Sequence, residues 1–469
     1  MADPTNIYLE GNFAPVREEV DLPCPEVEGD IPKDLAGFFL RNGPNAALPP
    51  LDVKMYHPFD GDGMLHEVAF ADGKASYRNR WIATKGLARE RAAGRALWGG
   101  FASIGKSEPP PDMPMKNLAN TALAWHAGKL LATWEAGSPY VVRMPSLETV
   151  GETTFDDGWT DAVSAHPKVD PRTGELILFC YSPVVQPYVR YGVADKNGKV
   201  THKTTIDLQG APVMIHDMAI TDKHSLIFDM PVTFSLERVM NGGPAFGWEP
   251  SNGARIGVLP RYADGADIQW FDVQTGYIFH VFNAWEEGDD ILVDACLAPQ
   301  TSILDEKDTP IDAERSRMHR YRLNRTTGKV TEGRVSEVRM EFPRVNETYL
   351  GTKTRYGYAS RFGTDAITLR FGGLVKHDRE GDRITELDLP ANCHTQEFVF
   401  APKVGSKSED DGYVVGFVYD ENRQASEAWV IDAQRFEKGP IAKVRIPARV
   451  PYGFHSHWVS AADVANQRV

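Results

Sequence analysis

Four histidines lie far apart in the chain, each in a short apolar context that resembles a strand: His166, His216, His280 and His455. Successive members are separated by 50, 64 and 175 residues. This spacing excludes a zinc finger or an HExxH helix, whose ligands come from one local unit. One such histidine alone would more often be a hydrogen-bonded core residue. The four together favour a single metal site that the fold itself must close.

Four neutral imidazoles supply nitrogen ligands without charge, and a six-coordinate metal would keep open positions for small molecules. That donor set suits dioxygen chemistry better than hydrolysis. Metal-bound imidazoles usually donate their second N–H to a carboxylate, a backbone carbonyl or water. Glu135, Glu341 and Glu397 interrupt strand-like segments and are candidates for this role. The alternative for each glutamate is the solvent face of an edge strand.

The segments around these residues indicate an all-β protein. Short runs rich in Val, Ile, Tyr, Phe and Thr alternate with turn signals such as Asp60-Gly61-Asp62-Gly63. A propeller of about seven four-stranded blades would need ~28 strands, or ~17 residues for each strand with its connection. The innermost strands of different blades face one axis, so distant histidines can meet there. We therefore expect one β-propeller domain over residues 1–469.

Helical signals are few. Residues 85–98 show an amphipathic pattern, which predicts either a lid over one face or an ordinary surface helix. The four cysteines are widely separated and lack a CxxC pair, so we expect reduced, buried thiols.

Composition excludes some functions. The chain has 469 residues with 51 basic and 65 acidic side chains, a formal charge of −14, and no long basic stripe, which argues against a nucleic-acid partner. Neither a secretory signal pattern nor an apolar stretch of ~20 residues is present, so a cytoplasmic protein is expected. The absence of Walker, GxGxxG and GxSxG motifs disfavours nucleotide-dependent and serine-nucleophile chemistry.

Segments spread along nearly the whole chain resemble motifs of the carotenoid cleavage oxygenases. They include residues 37–44 (GFFLRNGP), 59–64 (FDGDGM), 126–140 (HAGKLLATWEAGSPY), 164–168 (SAHPK), 279–286 (FHVFNAWE) and 451–455 (PYGFH). Several such motifs in the family's order make this resemblance specific.

The resemblance implies a seven-bladed propeller with a cap of loops and helices over the face that contains the metal. It also implies one Fe2+ held by His166, His216, His280 and His455. His457 is a weaker candidate for the last ligand, because the family's terminal ligand directly follows a Gly-Phe pair. The three glutamates would orient three of the imidazoles, and Thr121 matches a residue near an open iron position. The implied reaction is cleavage of an alkene by dioxygen to give two carbonyl products.

The family resemblance also bears on the substrate, a small apolar alkene. Relatives that cleave phenolic substrates carry a tyrosine and a lysine that grip the phenol; here Trp134 stands at the lysine position, and the tyrosine region, residues 98–101, offers Phe101. Phe59 and Phe282 are further candidate tunnel residues. Apolar contacts stabilise a buried isoprenoid chain but leave a phenolate without a partner. We therefore expect a carotenoid or apocarotenoid, with a stilbene or phenylpropene as the alternative.

Three further possibilities remain at this point. One branch of the family resembles this chain in its ligands yet catalyses isomerisation without productive use of dioxygen. A propeller scaffold that binds a lipid or a protein would need no converging imidazoles. For an enzyme that takes a lipophilic substrate from a membrane, exposed apolar residues near the tunnel mouth are expected, with residues 87–101 and 240–248 as candidates for peripheral membrane contact.

Overall fold

The computed structural model describes residues 6–241, 243–301, 315–363 and 369–469, and most of its regular structure is β-strand. In chain order the strands are β1 (Asp21–Pro23), β2 (Val27–Gly29), β3 (Gly37–Asn45), β4 (Asp62–Ala71), β5 (Lys74–Trp81), β6 (Ala122–His126), β7 (Lys129–Thr133), β8 (Tyr140–Arg143), β9 (Glu148–Glu152), β10 (Lys168–Val169), β11 (Leu176–Tyr181), β12 (Val189–Ala194), β13 (Val200–Ile206), β14 (Met218–Ile220), β15 (His224–Asp229), β16 (Val232–Phe234), β17 (Phe246–Trp248), β18 (Arg255–Pro260), β19 (Gln269–Asp272), β20 (Tyr277–Glu287), β21 (Asp290–Ala298), β22 (Arg317–Asn324), β23 (Val330–Arg344), β24 (Tyr356–Phe362), β25 (Phe371–Asp378), β26 (Arg383–Asp388), β27 (Cys393–Thr395), β28 (Val399–Pro402), β29 (Gly412–Asp420), β30 (Ala425–Asp432), β31 (Pro440–Ile446) and β32 (Ser456–Ser460).

Helices are short in the described residues. The α-helices are α1 (Lys85–Ala93), α2 (Leu236–Met240) and α3 (Ala461–Ala465). The 3-10 turns are Ile7–Leu9, Gly11–Phe13, Pro58–Asp60, Ile104–Lys106, Pro250–Asn252, Gly265–Asp267, Glu347–Tyr349 and Ala433–Lys438.

The helix α1 covers only the first part of its predicted range. The Thr84 hydroxyl accepts a hydrogen bond from the Leu87 N–H and caps its start. Gly94 adopts a left-handed conformation with φ of 67° and ends it, so residues 95–98 are not helical.

The strands pair antiparallel, with neighbours in sequence usually neighbours in the sheet. Three sheets are simple four-stranded meanders or close to it: β6 to β9, β10 to β13, and β14-β15-β18-β19. A fourth, in the order β1-β5-β4-β3-β32, joins both ends of the chain. In the long sheet, β23 pairs with β22 through its first half and with β24 through its second half. The pairing is therefore consistent with seven blades.

Contacts between innermost strands indicate how these groups close into a ring. The strand β32 contacts β6, which contacts β10, and the contacts continue from β10 to β14, from β14 to β20 and from β20 to β23. On the other side, β28 contacts β32. The ring is closed by β32 pairing with β3, for example Phe39 opposite Trp458. Such closure leaves no exposed inner edge.

Burial patterns along the strands explain why the sequence adopts this layered arrangement. The strand β11, with the sequence LILFCY, is buried almost throughout because neighbouring blades cover both of its faces. The outer strand β13, with the sequence VTHKTTI, alternates between half-buried and exposed residues. All four cysteines are buried free thiols, as expected.

Candidate metal centre

The four predicted histidines come from the innermost strands of four different blade units. His166 and His216 each lie two residues before an inner strand, β10 and β14 respectively. His280 lies within β20, and His455 immediately precedes β32. All four are buried or nearly so. The propeller axis is therefore the feature that brings together residues up to 289 positions apart.

The Nε2 atoms of these imidazoles converge. His166 Nε2 lies 3.1 Å from His216 Nε2, which lies 3.2 Å from His280 Nε2, and that atom lies 3.1 Å from His455 Nε2. All four candidate ligand atoms lie within 4.8 Å of one another. Nitrogen ligands at about 2.1 Å from one ion, at right angles to each other, would lie ~3.0 Å apart. The three separations between successive nitrogens thus match those expected around one metal ion.

Three of the imidazoles contact a glutamate through their other nitrogen. His216 Nδ1 lies 2.5 Å from Glu135 Oε1, His280 Nδ1 lies 2.6 Å from Glu341 Oε2, and His455 Nδ1 lies 3.1 Å from Glu397 Oε1. An Nδ1–H that faces a carboxylate leaves the Nε2 lone pair free for a metal. Among the described residues no carboxylate contacts His166 in this way.

Backbone groups hold two of these carboxylates in place. The Phe342 N–H donates to Glu341 Oε2 at 2.5 Å, and the Ser456 N–H donates to Glu397 Oε2. Arg344 Nε also lies 3.7 Å from Glu397 Oε1. Each glutamate therefore bridges an imidazole and the backbone, which limits the rotation of both side chains.

Burial sets the charge of most of these imidazoles. It lowers the pKa of His166, His280 and His455 well below the usual value for histidine, and neighbouring imidazoles lower it further. For His216 burial also lowers the pKa, but the Glu135 carboxylate more than offsets this effect, so its pKa is raised. Burial raises the pKa of Glu341 to about 8. Three ligands are thus held in the neutral form that binds metals.

A bulge in β20 determines which side chains of this strand face the axis. Ile278 pairs with Leu297 but Val281 pairs with Ala295, so two residues oppose one. Phe279 and His280 both line the central cavity as a result. A second register shift, between Val281 and Asn283, turns Phe282 the other way. It is 2% exposed and packs with residues such as Cys296, outside the cavity lining. The prediction that Phe282 contacts substrate was therefore wrong.

A second irregularity lies beside Glu341. The register between β23 and β24 shifts between Glu341 and Arg344, and Phe342 has a φ of +52°. A non-glycine residue in this region is strained. The conformation places the Phe342 ring centroid 5.3 Å from His280 and 5.2 Å from His455. The strained backbone thus supplies an apolar wall beside two candidate ligands.

The candidate metal centre opens into a cavity of about 560 Å³. Its lining includes His216, His280 and His455 and is otherwise largely apolar. Thr121 lines it too, and its carbonyl oxygen accepts the His455 N–H at 3.2 Å. The Thr121 hydroxyl donates to Asn120 Oδ1 at 3.0 Å. A volume of this size is typical of small-molecule sites.

Three of the four residues predicted to contact substrate border the cavity. Phe59, Phe101 and Trp134 line the cavity. The Phe101 ring stacks on Phe246 at 6.3 Å, and its N–H donates to Asp60 Oδ1 at 2.6 Å. Because Gly100 lies directly against Asp60, a Cβ there would overlap the carboxylate.

His457 lies outside the group of converging imidazoles. Its Nδ1 is 3.7 Å from Glu347 Oε2. This placement agrees with the choice of the histidine that directly follows Gly453-Phe454.

Some cavity residues had no recognisable sequence signal. Phe342, Phe371 and Phe454 line the cavity, as does a buried charged group made of Asp62, Glu90 and Lys116. The charged group could not be found from spacing, because its members come from the start of β4, from α1 and from an irregular segment. Phe342 and Phe454 could have been found as neighbours of Glu341 and His455.

Comparison with known proteins agrees with this geometry. The family model described as retinal pigment epithelial membrane protein, RPE65, matches residues 13–460. The carotenoid 9,10(9′,10′)-cleavage dioxygenase 1 of Arabidopsis thaliana is 37% identical over 504 residues, which cover 98% of this chain and 91% of the relative. These matches span the whole propeller and the candidate metal centre.

Two solved structures share the fold closely. The lignostilbene dioxygenase of Pseudomonas brassicacearum superposes with a TM-score of 0.91 at 28% identity, and the match covers 98% of this chain and 100% of that one. Cobalt-substituted Synechocystis ACO, an apocarotenoid oxygenase, has a TM-score of 0.85 at 28% identity, with coverage of 95% and 97%. The chain belongs to the carotenoid cleavage oxygenase family.

Proposed function

We propose that this protein is an iron(II)-dependent dioxygenase that cleaves one double bond of a carotenoid or apocarotenoid to give two carbonyl products. The observation that carries the proposal is the convergence of four imidazoles, three of which line a largely apolar cavity. The named activity of a relative that is 37% identical over nearly the full chain supports it.

The side chains have distinct roles in this proposal. His166, His216, His280 and His455 hold the ion, and the three glutamates orient the imidazoles. A ferrous ion held there would supply the redox chemistry that couples dioxygen to alkene cleavage. Thr121 lies beside this centre, where it would limit the space at an open coordination position. No side-chain acid or base is needed, since the protein chiefly positions the scissile bond and excludes water.

The cavity wall supports a polyene substrate. Phe59, Phe101 and Trp134 present apolar surface toward the space. Burial of a large apolar group contributes about 1.5–3 kcal/mol, which favours an isoprenoid chain. We propose these three residues as substrate contacts.

The second candidate is a phenolic stilbene or phenylpropene, because the lignostilbene dioxygenase is similar in fold over the whole chain. The charges in the cavity oppose it. The buried ammonium of Lys116 already contacts two carboxylates, Asp62 and Glu90. With two carboxylates beside one ammonium, this group carries a net negative charge when ionised and would repel a phenolate.

A substrate panel separates these candidates. Protein purified without oxygen is loaded with Fe2+, its iron content is measured, and it is exposed to air with carotenoids, apocarotenals and hydroxystilbenes. We expect consumption of dioxygen and polyene fragments whose masses correspond to two carbonyls. Cleavage of stilbenes alone would favour the second candidate. Isomerised polyene without oxygen uptake, or binding without turnover at full iron content, would contradict both oxygenase assignments.

We also propose that the cavity mouth touches a membrane surface from which substrate is taken. Ile104 and Met115 line the cavity, yet they are 67% and 53% exposed. Leu236 and Met240 of the short helix α2 are exposed as well. Residue 242, within the predicted contact segment 240–248, lies outside the described residues. Exposed apolar groups around an opening are typical of interfacial proteins.

None of the helices in the described ranges is long and apolar enough to cross a bilayer. Cytoplasmic location, a single domain over residues 1–469 and the lack of a nucleic-acid partner stay predictions. Sedimentation with vesicles of neutral lipid tests the membrane contact. The double variant Ile104→Glu/Met115→Glu should remain in the supernatant if the contact is correct, whereas equal pelleting of both proteins, or of neither, would contradict it.

A further inference from the structure

A charged triad lies in the otherwise largely apolar wall of the cavity. Lys116 Nζ lies 2.5 Å from Asp62 Oδ1 and 2.5 Å from Glu90 Oε2. The three side chains are only 3–8% exposed, and all three residues line the cavity. The triad carries a net charge of −1 when all three groups are ionised.

Glu90 also accepts a hydrogen bond from outside the triad. Its Oε1 accepts the Leu97 N–H at 2.8 Å, so it ties the end of α1 to the following cap segment. Asp62 begins β4, and Lys116 precedes Thr121 by five residues. The triad thus joins three segments that surround the cavity.

Stabilisation of the fold alone does not account for this arrangement. Removing charges from water is costly, and replacing a buried ion group by apolar residues of similar volume is often neutral or stabilising. A triad kept at the cavity surface, among aromatic neighbours, is therefore better explained by a polar atom of a ligand.

The triad has hydrogen-bonding capacity left over. An ammonium has three N–H donors, and Lys116 has two partners among the residues that the structure describes. Asp62 Oδ1 contacts Lys116 Nζ and has no other partner among the described residues, and a carboxylate oxygen can accept a second hydrogen bond. One donor and one acceptor consequently remain for a group in the cavity.

We propose that Asp62, Glu90 and Lys116 form a subsite for a hydroxyl group on the substrate. A hydroxyl accepts from Lys116 and donates to Asp62, so it satisfies both remaining groups. A ketone can only accept, and an unsubstituted hydrocarbon ring can do neither. The inference rests on the proposed function, since it identifies the substrate as an oxygenated polyene rather than a pure hydrocarbon.

Binding to metal-free protein tests this subsite independently of turnover. The probes are three polyene aldehydes of equal length, whose end ring is unsubstituted, hydroxylated or ketonised. Quenching of tryptophan fluorescence reports binding, because Trp98 and Trp134 line the cavity. We expect wild-type protein to bind the hydroxylated probe about tenfold more tightly than the unsubstituted one, as one buried charge-assisted hydrogen bond allows.

Two variants measure the contribution of the triad. In Asp62→Asn/Glu90→Gln/Lys116→Met the preference for the hydroxylated probe should fall to about onefold, while affinity for the unsubstituted probe changes by less than about threefold. Asp62→Asn alone, which keeps the shape, should reduce the preference for hydroxyl over ketone. The single variant provides the test if the triple variant does not fold.

Lys85→Met is the matched control, because Lys85 of α1 pairs with Glu152 on the surface and does not line the cavity. It should leave all three affinities unchanged. A wild-type preference near onefold, an undiminished preference in the variants, or an equal loss of affinity for every probe would overturn the subsite. If the preference holds but iron-loaded enzyme cleaves none of the probes, the proposed function fails and the subsite stands.

Discussion

The imidazoles of the candidate metal centre are held by unequal partners. His216, His280 and His455 each contact a glutamate through Nδ1, whereas His166 has none among the described residues. Its place is held through the backbone, since the Thr133 hydroxyl donates to the Ala165 carbonyl oxygen at 2.8 Å. The orientation of three ligands therefore depends on side-chain carboxylates and that of the fourth on local backbone geometry.

Removal of one imidazole should abolish metal binding. We expect His280→Ala to lose bound iron and cleavage activity together, because the three nitrogens that remain cannot surround the ion. Iron content after dialysis and oxygen uptake measure this. His457→Ala is the control, since His457 lies two residues from a ligand but faces Glu347. Full iron occupancy in His280→Ala, or its loss in His457→Ala, would contradict the assignment.

Neutralising one of the three glutamates should weaken iron binding without abolishing it. Glu341→Gln keeps an acceptor oxygen near His280 but removes the negative charge, so we expect iron affinity to fall about 10–100-fold. Competition with a chelator of known affinity measures the change. The control is Glu148→Gln, at an exposed glutamate. Equal iron affinities of the two variants would argue against a role for Glu341.

The residues that the structure brings together at the axis were recognisable from sequence where their neighbours carry the signal. The histidines and glutamates stand in short motifs, and their types restrict the chemistry they can perform. The prediction for Phe282 failed because simple strand alternation gives it the same face as His280, whereas the register shift between Val281 and Asn283 changes that face. The triad around Lys116 was not predicted, because its three residues lie in separate segments and no local sequence pattern indicates that they are in contact.

At the scale of single elements, irregular strands place the functional side chains. The first register shift of β20 turns two consecutive residues, Phe279 and His280, to the cavity, and the second, between Val281 and Asn283, turns Phe282 to the core. The opposite orientations of Phe279 and Phe282 predict opposite consequences of truncation.

Phe282→Ala should lower the free energy of unfolding by about 3–5 kcal/mol, because it leaves a hole in a packed core. Phe279→Ala should be less destabilising and should instead raise the KM for polyenes, since its ring borders the substrate space. Denaturant unfolding and steady-state kinetics of both variants measure these effects. The reverse pattern would place Phe282 at the substrate after all.

The strand β4 contains a buried carboxyl that should make stability depend on pH. Burial raises the pKa of Glu67 to about 8, an effect that Arg78 opposes. The folded state therefore keeps this proton to about pH 8, whereas the unfolded chain releases it near pH 4.5. Between these values the unfolded state binds fewer protons, so this group makes stability fall as pH rises.

Glu67→Gln removes that dependence. The variant should match wild type near pH 5 and exceed its free energy of unfolding by on the order of 3 kcal/mol at pH 9. Urea unfolding at the two pH values gives the difference directly. Glu148→Gln, an exposed change on β9, should show no such difference, and a pH-independent effect at Glu67 would refute the argument.

For the whole molecule, the candidate metal links the blades from which its ligands come. A histidine could move away from a bound ion only if the ring of inner strands opened, so we expect metal binding to be coupled to global stability. The all-β class and the propeller were predictable because hairpin signals recur along the chain. The irregular segments beside the cavity could not be predicted, because they have no periodic pattern. For example, α1 ends at Gly94 rather than continuing to residue 98.

Iron loading should stabilise the protein. A ligand that binds only the folded state, at a thousand times its dissociation constant, adds about 4 kcal/mol to the free energy of unfolding. Anaerobic thermal unfolding with and without Fe2+ should show a higher Tm for the loaded form and no increase for His280→Ala. A similar increase in that variant would mean that the ion binds elsewhere.

Ring closure also fixes an order of events in biosynthesis. His455 directly precedes β32, the strand that pairs with β3 from the beginning of the chain. A ribosome must therefore have synthesised residues 1–455 before the fourth nitrogen is available. Binding of an ion by all four imidazoles would consequently follow synthesis of this segment, and a chain that stalls before His455 lacks both the fourth imidazole and the strand β32 that closes the ring.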